Sequence, residues 1–297
     1  MSLTSFLRDN KDVRDRFRTE FKKPKFVEDI DLKASPQSNR YSLVGTAFDY
    51  LLRFYLERLN ENAVVRRWVA ELAISHPLSP ILNDVEIDGE SGRILSFRET
   101  ELTSKVQRII GDARSNYEEY LSDGRVADQL IHSCLCLAQL DPIVRAGVID
   151  PQLGIVHKED VADLHKLIEI VDPSNFVAKG ICLLNPNLGE GSSLVGGADA
   201  DLFIDGRIID IKTTKNLQLP RRSFDQLIGY YTLHHIGSIG DLDPKPPVSR
   251  LGNYFSRHAY LYEFDVSSVI GNVDFLAFVE WFKQRADNEV GSPNLAE

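Results

Sequence analysis

Residues 196–215 read GGADADLFIDGRIIDIKTTK, and the Asp205-Gly206 pair at their centre decides how the surrounding chain folds. Asp-Gly between two apolar runs is a hairpin signal, because both positions of a tight turn need a backbone that aspartate and glycine tolerate. With that pair in the turn, Ile204 stands opposite Arg207, Asp201 opposite Asp210, and Asp199 opposite Lys212. Cross-strand partners share a sheet face and strand residues alternate between faces. Asp199, Asp201, Asp210 and Lys212 are therefore expected on one face, and Ala200, Leu202, Ile204, Ile209 and Ile211 on the other. Opposed carboxylates lie about 5 Å apart, and at an effective dielectric of 20 they repel by roughly 3 kcal/mol. A cation between them removes that cost, and hard oxygen ligands suit magnesium or manganese. Lys212 would stand beside such a cation, placed to orient an attacking water and to stabilise charge on a phosphoryl oxygen. The bland alternative is a solvated hairpin with an Asp199–Lys212 ion pair.

Working outward, the periodicity changes along the chain. Residues 41–59 carry Val44, Ala47, Phe48, Leu51, Leu52, Tyr55 and Leu59 at spacings of three and four, which predicts an amphipathic helix with Ser42 as its cap. Helices are also expected over 63–72, from 102 to a stop at Asp123-Gly124, over 126–140 before Asp141-Pro142, and over 160–170. The segment around Pro77 and Pro80 reads as a break. Beyond residue 173 the pattern becomes strand-like: 176–184, a turn at 185–187, 194–204, the return strand 207–212, and a late strand 258–266. Helices at 223–235 and 273–283 complete the reading. The fold class expected is α/β: one domain over 1–297, with a core at about 41–59 and 173–297. An all-helical insertion at about 60–172 and a basic N-terminal segment, 1–40, complete it.

The string at 196–215, followed by FDQLIGYYTL at 224–233, resembles the RecB-like branch of the PD-(D/E)xK nuclease superfamily. The shared features are an acid on one strand, D-x-K on the next, and Q-x-x-x-Y on a following helix, met here by Asp201, Asp210, Lys212, Gln226 and Tyr230. The resemblance implies a restriction-endonuclease-like core, a central mixed sheet flanked by helices. It also implies a magnesium- or manganese-dependent phosphodiesterase acting on DNA, RNA being a possible substrate too. Asp201 and Asp210 would ligate metal, the Ile211 main-chain carbonyl would add a ligand, and Gln226 would orient Lys212 or a phosphate. Tyr230 would brace its helix against the sheet. The family's G-x-x-x-H helix motif is matched by Gly45 to Asp49 with aspartate in the histidine place, so Asp49 is the further ligand candidate and Glu57 its substitute. The proline of the superfamily name is absent, Gly197-Ala198 preceding Asp199. Defence against foreign DNA and DNA repair are the roles such an enzyme would serve.

Charge and cysteine usage narrow the rest. A formal charge of −10 disfavours indiscriminate binding to nucleic acid, so any contact must be local. Lys215, Arg221 and Arg222 beside the hairpin are the expected phosphate contacts, and the basic run Arg8 to Lys25 reads equally as a mixed solvated helix face. Cys134, Cys136 and Cys182 are too few for a four-cysteine iron–sulfur cluster and read as buried thiols. His132 reads as a core histidine, and His234-His235 as helix-end cations. No apolar run of about 20 residues and no signal-like N-terminus appear, so the expected location is the cytoplasm. Two alternatives remain at this stage: a nuclease fold that binds nucleic acid without cutting it, and a non-nuclease interaction protein.

Overall fold

A computed structural model of the chain describes residues 2–74, 85–87, 94–97 and 101–290. The Pro77/Pro80 break lies outside them. The architecture is α/β, with a six-stranded mixed sheet flanked by helices. The strands are β1 (Ala63–Val65), β4 (Cys182–Leu184), β5 (Leu202–Ile204), β6 (Arg207–Lys212), β7 (Arg250–Phe255) and β8 (Tyr260–Asp265), in that spatial order. The β1/β4 and β6/β7 pairs are parallel and the others antiparallel. A separate hairpin pairs β2 (Val85–Ile87) with β3 (Ile94–Phe97).

The central strands are apolar at successive positions because both faces of the sheet are covered. Cys182, Leu184, Leu202, Ile204, Ile209 and Tyr254 enter one hydrophobic cluster. Their alternating neighbours Leu183, Phe203, Ile208 and Leu251 enter the other. The first cluster is filled by α3 (Tyr41–Leu59), α4 (Glu101–Asp123), α5 (Asp128–Ala146) and α6 (Lys158–Glu169). The second is filled by α1 (Leu3–Asp9), α2 (Lys11–Glu20), α8 (Arg221–Ile236) and α10 (Phe275–Val290), with the short α7 (Glu190–Leu194) and α9 (Val266–Ile270) beside them.

The hairpin has the expected register: Leu202 pairs with Ile209, Phe203 with Ile208 and Ile204 with Arg207. Asp205 and Gly206 both take positive φ, 47° and 84°. The Asp205 carboxylate also accepts main-chain N–H groups of Lys179, Gly180 and Ile181 at 2.6–2.9 Å, which ties the turn to the entrance of β4. Several other expectations are corrected. Ala200 joins the cluster opposite that of Leu202, because β5 begins only at Leu202 and alternation does not extend back to residue 200. Residues 63–72 are not a helix: Ala63–Val65 pairs with β4 as an edge strand and a 3-10 turn follows at Val69–Ile74. The interval 60–172 is therefore not all-helical. Ser42 does not cap α3; Arg40 stands at its N-cap and makes no side-chain capping bond. Residues 194–201 are not strand either: Leu194 ends α7, and only an isolated bridge from Asp199 to Asn187 precedes β5.

Two differences shape the site. α5 does not stop before Asp141-Pro142 but runs through Pro142 to Ala146, where Gly147 closes it at φ 65°. An interior proline costs about 3 kcal/mol. The offset is burial: α5 packs on α3 and α4 with Leu130, Ile131, Leu135, Leu140 and Ile143 all inside the core. The extra turn carries Asp141 and Arg145. The other is β7, a strand without a sequence expectation, which lies beside β6 and puts Asn253 in register with Asp210. The basic N-terminal run is a helix pair whose Lys11 and Arg16 ion-pair with Asp15 and Glu20, consistent with a mixed helix face.

Candidate active site

A cavity of about 470 Å3 opens where α3, α5, α8 and the hairpin meet. Asp201, Asp210, Ile211, Lys212 and Gln226 line it, as does Asp49 from α3. Six of the residues picked from sequence thus share one wall system, although they come from separate elements. The remaining lining groups include Asp141 and Arg145, delivered by the extended end of α5.

Asp210, 2% exposed, is held from two sides. The Lys212 ammonium lies 2.6 Å from its Oδ2, and Asn253 Nδ2 donates to the same oxygen at 2.7 Å. Lys212 Nζ also donates to Gln226 Oε1 at 3.1 Å, and Gln226 Nε2 donates to the Tyr230 hydroxyl at 2.8 Å. One chain of contacts therefore runs from Asp210 through Lys212 and Gln226 to Tyr230. The i, i+4 spacing puts Gln226 and Tyr230 on one side of α8, and Tyr230 sits in the cluster that packs this helix to the sheet. Asp201 stands just before β5, and its Oδ2 accepts the main-chain N–H of Ile211 at 2.6 Å. The hydrogen bond fixes one Asp201 oxygen beside the β6 backbone next to Asp210.

Asp49 joins from the other side of the sheet. Arg53, one turn further along α3, meets its Oδ2 at 2.5 Å, while its Oδ1 is buried with no hydrogen-bond partner. Burial, and the charge of Asp201, push the Asp49 carboxyl up to about 7 against the pull of Arg53. Asp210 is pushed up to about 6, by burial first, with Asp201 adding to the rise and Lys212 and Asn253 opposing it. Burial works to lower Lys212, but the charges of Asp210 and Asp201 outweigh it and hold the ammonium above its ordinary value. Two carboxyls raised in part by a third charge are the signature of a shared acidic site.

Stability should respond with a definite sign. Between the ordinary carboxylate range and pH 7 the folded protein keeps protons that the unfolded chain has already released, so this site destabilises the fold as pH rises through that window. Metal-free protein is expected to lose melting temperature from pH 5 to pH 8, and Asp49→Asn to flatten the decline. Thermal melts of both proteins across that range test it, and parallel slopes would refute it.

Other candidates separate from the cluster. Asp199 does not meet Lys212: it pairs with Arg66 at 2.9 Å and makes a bridge with Asn187, because the β5/β6 ladder ends before it. Glu57 accepts the Tyr117 hydroxyl and stands away from the cavity lining. Of the three expected phosphate contacts, Arg221 is turned inward, bonded to Asp225 at 2.8 Å and to the Phe17 and Phe21 carbonyls at 2.7 and 2.9 Å. Lys215 and Arg222 remain exposed, and the charge of Arg222 is felt at Lys212. Cys134 and Cys182 are buried, in keeping with their reading as thiols, and Cys136 is partly so. His234 Nε2 is bonded to the Pro246 carbonyl at 2.9 Å; burial lowers its pKa to about 4, so it is not a helix-end cation.

Asn253, Arg53, Asp141 and Arg145 belong to the site without having been picked from sequence. Asn253 sits in a strand of mixed composition, RLGNYF, where no short motif marks it. Arg53 was findable, being one turn from Asp49 on a helix already identified.

Among the described residues, no three Asp, Glu, His or Cys side chains converge tightly enough to hold a metal unaided. A cation in this cavity would draw on one or two carboxylates, a main-chain carbonyl and water, which is how magnesium is ordinarily bound. The unpartnered buried oxygen of Asp49 and the mutual destabilisation of the carboxylates fit such an ion. Compared with family models, curated proteins and solved structures, the chain finds no match. No helix among the described residues is long and apolar enough to cross a membrane.

Proposed function

We propose that this protein is a metal-dependent nuclease of the PD-(D/E)xK type with a restriction-endonuclease-like core, hydrolysing phosphodiester bonds of DNA. The observation that carries the reading is the Asp210–Lys212–Gln226–Tyr230 contact chain, whose first three members line one cavity with Asp201 and Asp49. Four residues chosen by motif alone need not touch one another, and in a solvated hairpin they would not.

Asp201 and Asp210, with the Ile211 carbonyl, would hold magnesium or manganese, and Asp49 would reach it through its unpartnered oxygen. When bound, that cation supplies positive charge to the phosphoryl oxygens. Lys212 orients the attacking water and places its ammonium against the charge that develops on phosphorus-bound oxygen. Gln226 holds the Lys212 ammonium by its carbonyl oxygen, and Tyr230 holds Gln226, so the lysine is fixed before substrate arrives. Asn253 fixes the Asp210 carboxylate from the neighbouring strand. In the reaction, a bond forms from water oxygen to phosphorus as the bond to the leaving sugar oxygen breaks. Water loses a proton and the leaving oxygen gains one. Defence against foreign DNA or DNA repair would employ such an enzyme in the cytoplasm.

A second reading has one observation in its favour. Lys212 and Asn253 already satisfy Asp210, and no ready three-residue ligand set stands among the described residues, as in a nuclease fold that binds nucleic acid without cutting it. The two part on one assay. Cleavage of labelled DNA in magnesium, abolished by chelation, is the expected result; binding without cleavage in either magnesium or manganese would establish the second reading.

A further inference from the structure

Beside the candidate centre lies a second cavity, of about 490 Å3. Arg145 lines both. The second cavity is walled by Gly196, Gly197 and Asp199 on the approach to the hairpin, by Tyr230 at the end of the lysine contact chain, and by Thr4 and its neighbours at the N-terminus. Gly196 and Gly197 have φ of 75° and 132°, and a Cβ built on Gly197 meets no atom within 4 Å. At Gly197 the wall is thus bare main chain facing open space, a surface against which a ligand can approach closely.

Arg145 differs from the other arginines near the site. Arg53 is bound to Asp49, Arg66 to Asp199 and Arg221 to Asp225. Arg145 has a side chain 64% exposed, and its one hydrogen bond among the described residues is a long one, 3.5 Å from Nε to Asp141 Oδ2. Its other donors are available on the boundary between the cavities. The charges of Asp49, Asp141 and Asp199 act on it from around that boundary and favour a guanidinium staying there. A planar guanidinium with free donors matches a phosphate oxygen pair.

We infer that a single nucleic-acid strand occupies both cavities, with the scissile phosphate at Lys212 in the first, the next phosphate on Arg145 at the boundary, and the nucleotide beyond that phosphate in the second cavity. This rests on the nuclease reading above and adds to it a substrate subsite. Each cavity falls in the size range of about 300–1,000 Å3 that takes one small ligand, which suits nucleotides entering singly and not a duplex. Arg145 stands on α5, so the interval between α3 and the central strands supplies a substrate contact as well as packing.

The test compares a labelled single-stranded oligonucleotide with bis(p-nitrophenyl) phosphate, a diester too small to reach the second cavity, using the full chain in magnesium. Arg145→Gln is expected to lower kcat/KM for the oligonucleotide at least about tenfold more than for the small diester, as loss of a charge-assisted contact predicts. Salt dependence of oligonucleotide binding should become shallower by about 0.7, the value for one phosphate on a single strand, and Arg145→Lys should recover part of the loss. Thr4→Trp, which fills the second cavity from an exposed helix position, should also act selectively on the oligonucleotide. Equal effects on both substrates, or none on the oligonucleotide, overturn the subsite while leaving the nuclease reading intact. A wild-type protein that hydrolyses neither substrate overturns the nuclease reading and the subsite with it.

Discussion

Lys212→Ala is expected to lower the rate of DNA cleavage by about 100- to 1,000-fold, the usual effect of removing one preorganised electrostatic donor. The loss should appear in single-turnover experiments at saturating metal, because the lysine acts on the attacking water and the developing phosphoryl charge. Metal affinity should hold or rise. Lys212 is the ammonium that now sits 2.6 Å from Asp210 Oδ2, so its removal leaves that oxygen with Asn253 as its one donor and leaves Asp201 and Asp210 in a more negative cavity. Gln226 would lose the donor to its Oε1 but keep its bond to Tyr230, so the position of α8 should be preserved. Cleavage by this variant near the wild-type rate, with the protein folded and metal saturating, would remove Lys212 from the chemistry.

Asp210→Ala should fail differently, losing metal affinity as well as rate. Loss of an outer partner of a metal ligand commonly lowers affinity about 10- to 100-fold, and deleting the carboxylate itself should cost at least as much. The change also strips Lys212 and Asn253 of their shared acceptor, leaving the ammonium without its counter-charge and held by Gln226 alone, and the buried amide with only a long 3.5 Å contact to the main-chain carbonyl of residue 210. Asp210→Asn, which keeps an oxygen for Lys212, separates the two consequences. It should recover stability, read by urea denaturation, and not activity. Calorimetric titration with manganese gives the affinities. Wild-type affinity in both variants would place the cation elsewhere.

What could be read from sequence follows the range of the interactions involved. The hairpin register was legible because a two-residue turn fixes it, and Asp201 and Asp210 follow from the turn alone. The Tyr41–Leu59 helix was legible because seven apolar side chains repeat at helical spacing over five turns. By contrast, β1 is three residues long and stabilised by pairing with a strand more than a hundred positions away, so Ala63-Val64-Val65 carries no local mark of it. The proline at 142 was a fair reason to end a helix, and was outweighed by packing of α5 against two neighbours that no local pattern reveals. Arg145 lies on the turn beyond that proline and so carries no local mark of its place at the site. Alternation counted from the turn fails before β5 begins, so it misplaces Ala200, which joins the opposite cluster, and pairs Asp199 with Lys212 where the structure pairs it with Arg66. Asn253 could not be placed because parallel pairing of β7 with β6 has no turn to set its register.

Catalysis as proposed requires the cavity at Asp201 and Asp210 to be a divalent-metal centre, and anomalous diffraction from a crystal soaked in manganese measures that directly. The expected result is a peak within ligating distance of both carboxylates and the Ile211 carbonyl, with the Lys212 ammonium drawn off Asp210 and still held by Gln226. A peak elsewhere, or none at saturating manganese with the Lys212–Asp210 contact unchanged, would contradict it.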